Sequence, residues 1–446
     1  RIEEVETTDY YAAFYSHMNL DYIRMPIPSS QWNRIFRSKY LANVLFLAAC
    51  FIGSAFVIFS NMQSSLDKCT PAINTRLHFR SMANRLGATS SANNNGASSF
   101  RILQLTDIHL GEDEWTEWGP EQDQKSFAVI RKLLQYEQPD LIILGGDMLT
   151  AENIDHNATA YYQMLINVIQ SAAISKYSGS ENADNSWQPI WTMLFGNHDD
   201  RPFIHQNGTA NEKAKTSRAK IWDTDRSYQN SVTGQCGIPS NNYVDKDLTG
   251  SKHVFGLSNF YIPIYHNDAN PKDEAARVYI FDSGGGSIDK RIDSSQIEWF
   301  KAISHGSQLP SFAFQHIPTD SFYWQDNICS GMHQDGVATV SSDAGLVDTL
   351  VKSRSVLVLG VGHNHINDYC CHPNSSSALL QVCFGRHSGY GGYGSSESRG
   401  ARIYEMVLQP SQSKNKGNYE VSWSSWVRLE TGEVVNEVSS NAEETQ

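Results

Sequence analysis

Short apolar runs, each ending in a cluster of Gly, Asp, Asn or His, recur along the middle of the chain: RILQLTDIHL at 101–110, LIILGGDML at 141–149, PIWTMLFGNHDD at 189–200, SFAFQHIP at 311–318 and SVLVLGVGHNHIND at 355–368. Runs this short and this apolar predict strands buried on both faces. Between two of them the period changes to that of a helix. Tyr161, Met164, Leu165, Val168, Ile169 and Ala172 fall on one helical face, which predicts a core-facing stripe. Strands alternating with helices predict an α/β fold, whose ligand sites gather at the carboxyl ends of the strands. Residues 201–252 interrupt the alternation with a polar insertion carrying Trp222, Tyr228 and Cys236, expected either to wall a site or to form a surface excursion. Trp115 and Trp118 are candidates for another wall.

A different pattern lies near the beginning. Residues 41–60, LANVLFLAACFIGSAFVIFS, carry no charge, and at ~1.5 Å per residue they reach ~30 Å, one bilayer core. This predicts a single-pass membrane anchor, with 1–40 as a cytosolic segment, 41–61 as the transmembrane helix, 62–99 as a stem, 100–430 as the main domain and 431–446 as an acidic tail. Arg34, Arg37 and Lys39 flank its start, so the positive-inside rule leaves the N-terminus cytosolic and the domain luminal or extracellular. Sequons at Asn157, Asn207 and Asn374 agree with that side of the membrane. So do the cysteines beyond the span, for which Cys370 or Cys371 with Cys383 is the best single pairing. The net charge of −13, with no stripe of Lys or Arg, argues against nucleic acid as a partner. The tyrosine-rich residues 1–40 are a candidate contact for other proteins.

The strand-end clusters supply Asp107, His109, Asp147, Asn197, His198, His316, His363 and His365. Carboxylate, imidazole and amide donors in this number suit two metal ions about 3.5–4 Å apart, which clamp a phosphate and activate water. Asp147, after two glycines that allow close approach, is the natural shared ligand. Asp107 and His109 stand two apart, as do His363 and His365, and residues so spaced along a strand face the same way. The donor set admits Fe, Zn or Mn.

Together with VYIFDSGGG at 278–286, GHNHINDYC at 362–370 and FGRHSGYGGYG at 384–394, these blocks resemble the calcineurin-like metallophosphoesterase family, in particular the short single-domain purple acid phosphatases of plants and fungi. The likeness covers roughly residues 100–408. It implies an α/β, four-layer αββα sandwich and hydrolysis of phosphate monoesters by in-line attack of a metal-bound hydroxide. By motif, one ion falls to Asp107, His109 and His365, the other to Asn197, His316 and His363, with Asp147 shared. His198, beside ligand Asn197, is the candidate proton donor, with Asp199 as the group that orients it and Asp200 as a competitor for that role. His387 is a candidate phosphate contact. Two departures stand out: Thr150 occupies the position of the tyrosinate that colours the purple enzymes, and Asn364 replaces the usual Asp between the paired histidines. A rival expectation is a structural subunit of a membrane assembly that keeps a phosphatase-like domain as a scaffold.

Overall fold

The computed structural model describes residues 76–82 and 96–440, apart from 156, 174–186, 215, 239–241, 244–252, 267–272, 327, 374–378, 395–396 and 412–418. The expected anchor at 41–61, residues 1–40 and Asn374 lie outside the described residues. Among the described residues no helix is long and apolar enough to cross a membrane.

Each apolar run forms a strand. In chain order these and their helices are β1 (Ser98–Leu105), α1 (Trp118–Glu137), β2 (Leu141–Leu144), α2 (Ala158–Ser171), β3 (Trp191–Met193), α3 (Arg218–Arg226), β4 (Phe260–Tyr265), β5 (Glu274–Ile280), α4 (Ser294–Ser304), β6 (Ser311–Phe314), α5 (Leu346–Ser353), β7 (Val356–Val361), β8 (Cys370–Cys371), β9 (Gln381–Phe384), β10 (Gly400–Pro410), β11 (Tyr419–Leu429) and β12 (Val434–Ser439). One sheet runs Leu77–His78, β4, β5, β6, β7, β9, β8, Cys329–Ser330; the other runs β12, β11, β10, β1, β2, β3, with Arg80–Ser81 beside β1.

The period of two along the first sheet divides its side chains between two cores. Phe312, Phe314, Val358 and Cys383 join the core shared with the second sheet, while Ala313, Leu359, Val382 and Phe384 join a core with Ile297, Phe300 and Leu350 of α4 and α5. Phe314 meets Tyr404 of β10 edge-on at 5.3 Å, and Gln104 of β1 donates to the Val361 carbonyl at 3.1 Å. The two sheets therefore face each other. On the far side of the second sheet, Phe127, Ile130 and Leu134 of α1 and Leu165 and Ile169 of α2 are buried in the core that includes β1 and β2.

Several expectations are corrected here. In α2 the buried face holds Tyr162 and Ile166 with Leu165, Val168 and Ile169, while Met164 is exposed and Tyr161 half-buried. The reason is a polar anchor: the Tyr162 hydroxyl donates to Asp225 of α3 at 2.6 Å, and Trp191 donates to the same carboxylate at 2.8 Å. That anchor belongs to the insertion, which contributes core. Trp222 is buried against Phe260, and Cys236 exchanges backbone hydrogen bonds with Tyr261 at 3.1 and 2.9 Å. The stem and acidic tail also reach into the sheets, through Leu77–His78, Arg80–Ser81 and β12, because unpaired edges of β4, β1 and β11 accept them. The expected pairing with Cys383 is borne out: Cys370 takes it, and Cys371 bridges Cys329. Adjacent cysteines on one strand point to opposite faces, so the pair cannot share a partner.

Candidate metal centre

Strands β1, β2 and β3 run parallel, as do β5, β6, β7 and β9. Their carboxyl ends meet across the two sheets: Ser388 donates to the Thr106 carbonyl at 3.0 Å, and the His363 amide donates to Asp107 at 3.1 Å. Two donor groups form at this seam. Asp107, His109 and His365 present ligand atoms within 4.8 Å of one another, and so do Asp147, His316 and His363.

The strand spacing expected to align the paired ligands is not what brings them together. β1 ends at Leu105 and β7 at Val361, so all four residues stand on turns beyond the strands. Asp107, His109, Asp147 and His363 all adopt left-handed backbone, with φ of 57°, 54°, 50° and 76°. Such a conformation costs a non-glycine residue of order 1 kcal/mol and concentrates at functional sites. Because of these turns His363 and His365 belong to different groups. Gly146 has φ +91°, and a Cβ there would lie 2.5 Å from the His316 ring.

The histidines are held by their outer nitrogens. Nδ1 of His316 donates to the Gly145 carbonyl at 2.9 Å, that of His365 to the Tyr393 carbonyl at 2.9 Å, and that of His109 lies 3.0 Å from Thr150 Oγ1. This leaves Nε2 of each ring as the nitrogen that would meet a metal ion. Nε2 of His109 and of His365 stand 3.2 Å apart. Nε2 of His316 faces Asp147 Oδ2 at 3.0 Å, and Asn197 Oδ1 is buried without a hydrogen-bond partner. Ligand-type nitrogens and carboxylates gathered this closely, with a buried amide oxygen left unpaired, fit a site shaped for cations. Thr150, at the tyrosinate position, thus sits behind His109 as its orienting partner.

Charge within the seam is arranged accordingly. Burial pushes the His109, His363 and His365 imidazoles down, helped by their neighbouring histidines, and keeps them neutral as ligands. Burial also raises Asp107. Asp147 lies well below the usual carboxylate range, since His316 and His198 outweigh the penalty of its burial. His316 is pushed up to about 9: burial opposes it, but Asp147 Oδ2 lies 3.0 Å away.

His198 lies beside this centre, its backbone amide donating to Asp147 Oδ1 at 2.6 Å. Its orienting group is not Asp199. Asp199 is buried and accepts from the amides of Asp147, Met148, Leu149 and Gly196 at 3.1, 2.8, 3.1 and 2.7 Å, clamping the Asp147 turn to the Asn197 turn. Burial and the nearby Asp147 push it up to about 7 despite those amides. Asp200 is also taken, by Arg218 at 3.0 Å. Glu152 holds His198 instead, with Oε1 2.5 Å from Nδ1, and Arg201 Nη1 lies 3.1 Å from the same oxygen. Burial would lower the His198 pKa; Asp147 and Glu152 raise it. An acid five residues beyond the shared aspartate is the signal for Glu152 in the sequence, but adjacency favours Asp199.

His387 is corrected as well. It is buried behind His365, ring to ring at 4.1 Å, and its Nε2 donates to the Gly391 carbonyl at 3.1 Å, so that nitrogen is taken within its own loop. Tyr393 of that loop also meets the ligands: its ring stacks on His365 at 4.0 Å and its hydroxyl accepts from the His365 amide at 3.1 Å. Asn364 accepts from the Ala338 amide at 3.3 Å and donates to the Gly336 carbonyl at 2.6 Å, docking the 331–340 segment beside the ligands. Trp115 and Trp118 are exposed.

The mixed α/β fold with two donor groups at the seam between facing sheets is that of a metallophosphoesterase. The calcineurin-like phosphoesterase model matches residues 100–367, and the chain belongs to that family. It is 24% identical over 364 residues to "Probable inactive purple acid phosphatase 29" of Arabidopsis thaliana, covering 74% of this chain and 82% of that protein. It is likewise 24% identical over 314 residues to "Phosphatase DCR2" of Saccharomyces cerevisiae, covering 64% of this chain and 47% of that one. Among solved structures, the purple acid phosphatase PPD1 from yellow lupin seeds superposes with a TM-score of 0.42 at 12% identity, over 77% of this chain and 53% of that one.

Proposed function

We propose that this chain is a membrane-anchored dinuclear phosphoesterase acting on phosphate monoesters. The observation that carries this is the pair of donor triads, Asp107, His109 and His365 beside Asp147, His316 and His363, each with its ligand atoms within 4.8 Å of one another. Asp107, His109 and His365 would hold one ion, Asn197, His316 and His363 the other, with Asp147 between them. When bound, such ions polarise the phosphate and make a hydroxide nucleophile available near neutral pH. The chain does the rest. Asp199 keeps the Asp147 and Asn197 turns in register. His198, oriented by Glu152, is positioned to donate a proton to the departing alkoxide.

Metal analysis and an aryl phosphate assay on the purified protein test this reading. Wild type should hold two ions and turn over, and Asp147→Ala should empty at least one site and abolish turnover; full occupancy in that variant would overturn the assignment. The names of two Arabidopsis relatives as probable inactive phosphatases favour a second reading, a metal-loaded scaffold. It requires filled sites without hydrolysis of any ester, with protein contacts through residues 1–40.

Anchoring at 41–61, with a cytosolic N-terminus and a luminal or extracellular catalytic domain, rests on the uncharged run and on Arg34, Arg37 and Lys39. Asn157 and Asn207 are exposed, as acceptors of glycan must be. A glycosidase-sensitive mobility shift supports this orientation; protease sensitivity of the domain on the cytosolic side of sealed vesicles would reverse it.

A further inference from the structure

Arg218 is the first residue of α3, within the 201–252 insertion, and its guanidinium is buried. Its nitrogens reach three places. Nε donates to Asp200 at 3.0 Å, Nη1 to both oxygens of Asp282 at 3.0 Å, and Nη2 to the Gly285 carbonyl at 2.9 Å. Its Cζ also lies over the Phe195 ring, 4.7 Å from the ring centre. Phe195 and Asp200 bracket the ligand Asn197, two residues before it and three after. Gly285 closes another side, since a Cβ there would lie 2.4 Å from Cβ of Asn197.

The two carboxylates carry these contacts further. Asp282 accepts from the amides of Leu257, Ser258 and Gly284 at 2.8, 3.1 and 2.9 Å, and Asp200 accepts from the Ser287 hydroxyl. One cation thereby ties the DSGGG turn beyond β5 to the NHDD turn beyond β3. Asn197 Oδ1 is buried without a hydrogen-bond partner, so the direction of this donor is set by the backbone that carries it and by what packs against it. A neutral amide brings no charge to a metal ion. Its contribution depends on being held in place, as outer-shell partners hold other ligands.

We propose that Arg218 is the positioning residue of Asn197, through which the insertion fixes the ion that Asn197 would share with His316 and His363. This rests on the dinuclear reading of the site and gives the insertion a part in it. A planar fork is needed to meet three acceptors at once, which the single ammonium of a lysine cannot do.

Titration of the metal-free full chain with Zn²⁺ against a chromophoric chelator tests this, with elemental analysis as a check and no reading of turnover. Wild type should bind two ions. Arg218→Lys should weaken one of them about 10–100-fold and leave the other unchanged. Gly285→Ala, which presses on Asn197 without removing the ion pair, should weaken one ion likewise. Asn197→Ala leaves Asp147, His316 and His363 to hold that ion more weakly, and adding Arg218→Lys to it should cost little more, because both act through one ligand. If Arg218→Lys does not fold, the isosteric Asp200→Asn carries the same expectations with a smaller factor. Unchanged affinity for both ions, equal weakening of both, or a full further loss on top of Asn197→Ala overturns the role of Arg218 and leaves the dinuclear reading standing. Wild type that binds fewer than two ions overturns both.

Discussion

The carboxylate of Glu152 meets the His198 ring at 2.5 Å, across the turn that also presents Asp147. The pair makes His198 a positioned imidazole, its pKa raised by Asp147 and Glu152, rather than a loose surface ring. If it protonates the leaving group, His198→Ala should retain both ions and lose about 10²–10⁴-fold in turnover of alkyl phosphates. Aryl phosphates, whose leaving groups need little protonation, should lose much less. Glu152→Gln should move in the same direction by a smaller factor, since the ring stays but loses its charged partner. An equal loss on both substrate classes would make His198 a phosphate-positioning residue.

Gly146→Ala separates the two ion sites. The new Cβ would fall 2.5 Å from the His316 ring, in a backbone conformation with φ +91° that disfavours any side chain. The variant should lose the ion that depends on His316 while the Asp107, His109 and His365 group keeps its own. Elemental analysis giving two ions per chain would show that the ring can yield.

Asp123 makes stability depend on pH. Burial, with Glu112 adding to it, pushes this carboxyl up to about 7 from 3.8, although the Gly111 amide donates to it at 3.2 Å. The folded chain therefore binds this proton more tightly than the unfolded chain. Its stabilisation is complete below about pH 4 and is lost as pH rises through about 7. At about 1.4 kcal/mol per unit the loss is at most ~4 kcal/mol. Asp123→Asn keeps an acceptor for Gly111 and removes the titration. Denaturant unfolding should show the variant gaining on wild type between pH 5 and pH 8, and a pH-independent difference would count against the shift.

Asn364→Asp restores the residue usual in the resembling family and should destabilise this chain locally. The amide donates to the Gly336 carbonyl at 2.6 Å, where a carboxylate would set two acceptors against each other. The cost should be about 1–3 kcal/mol. Hydrogen exchange should quicken across 331–340 with metal content intact; unchanged protection there would refute the docking role.

The order of residues along the chain by itself determines the local elements. The apolar runs and their polar ends set β1, β2, β3, β6 and β7, because strand formation at this length follows from side-chain pattern and turn residues. The same blocks name the donor types that a two-metal site needs. Partner choice is not legible in this way. Glu152 rather than Asp199 reaches His198, because Asp199 is consumed by four backbone amides that only the folded turns bring to it. His387 packs behind His365, and Tyr162 turns inward in place of Tyr161, because His365 and Asp225 arrive from other parts of the chain. Cys370 takes Cys383 and leaves Cys371 to Cys329 through the facing of one short strand. Periodicity along the chain is a property of neighbouring residues; left-handed turns, the meeting of two sheet edges and the choice among nearby acids depend on contacts between residues far apart in sequence, and those exist only once the sheets have closed on each other.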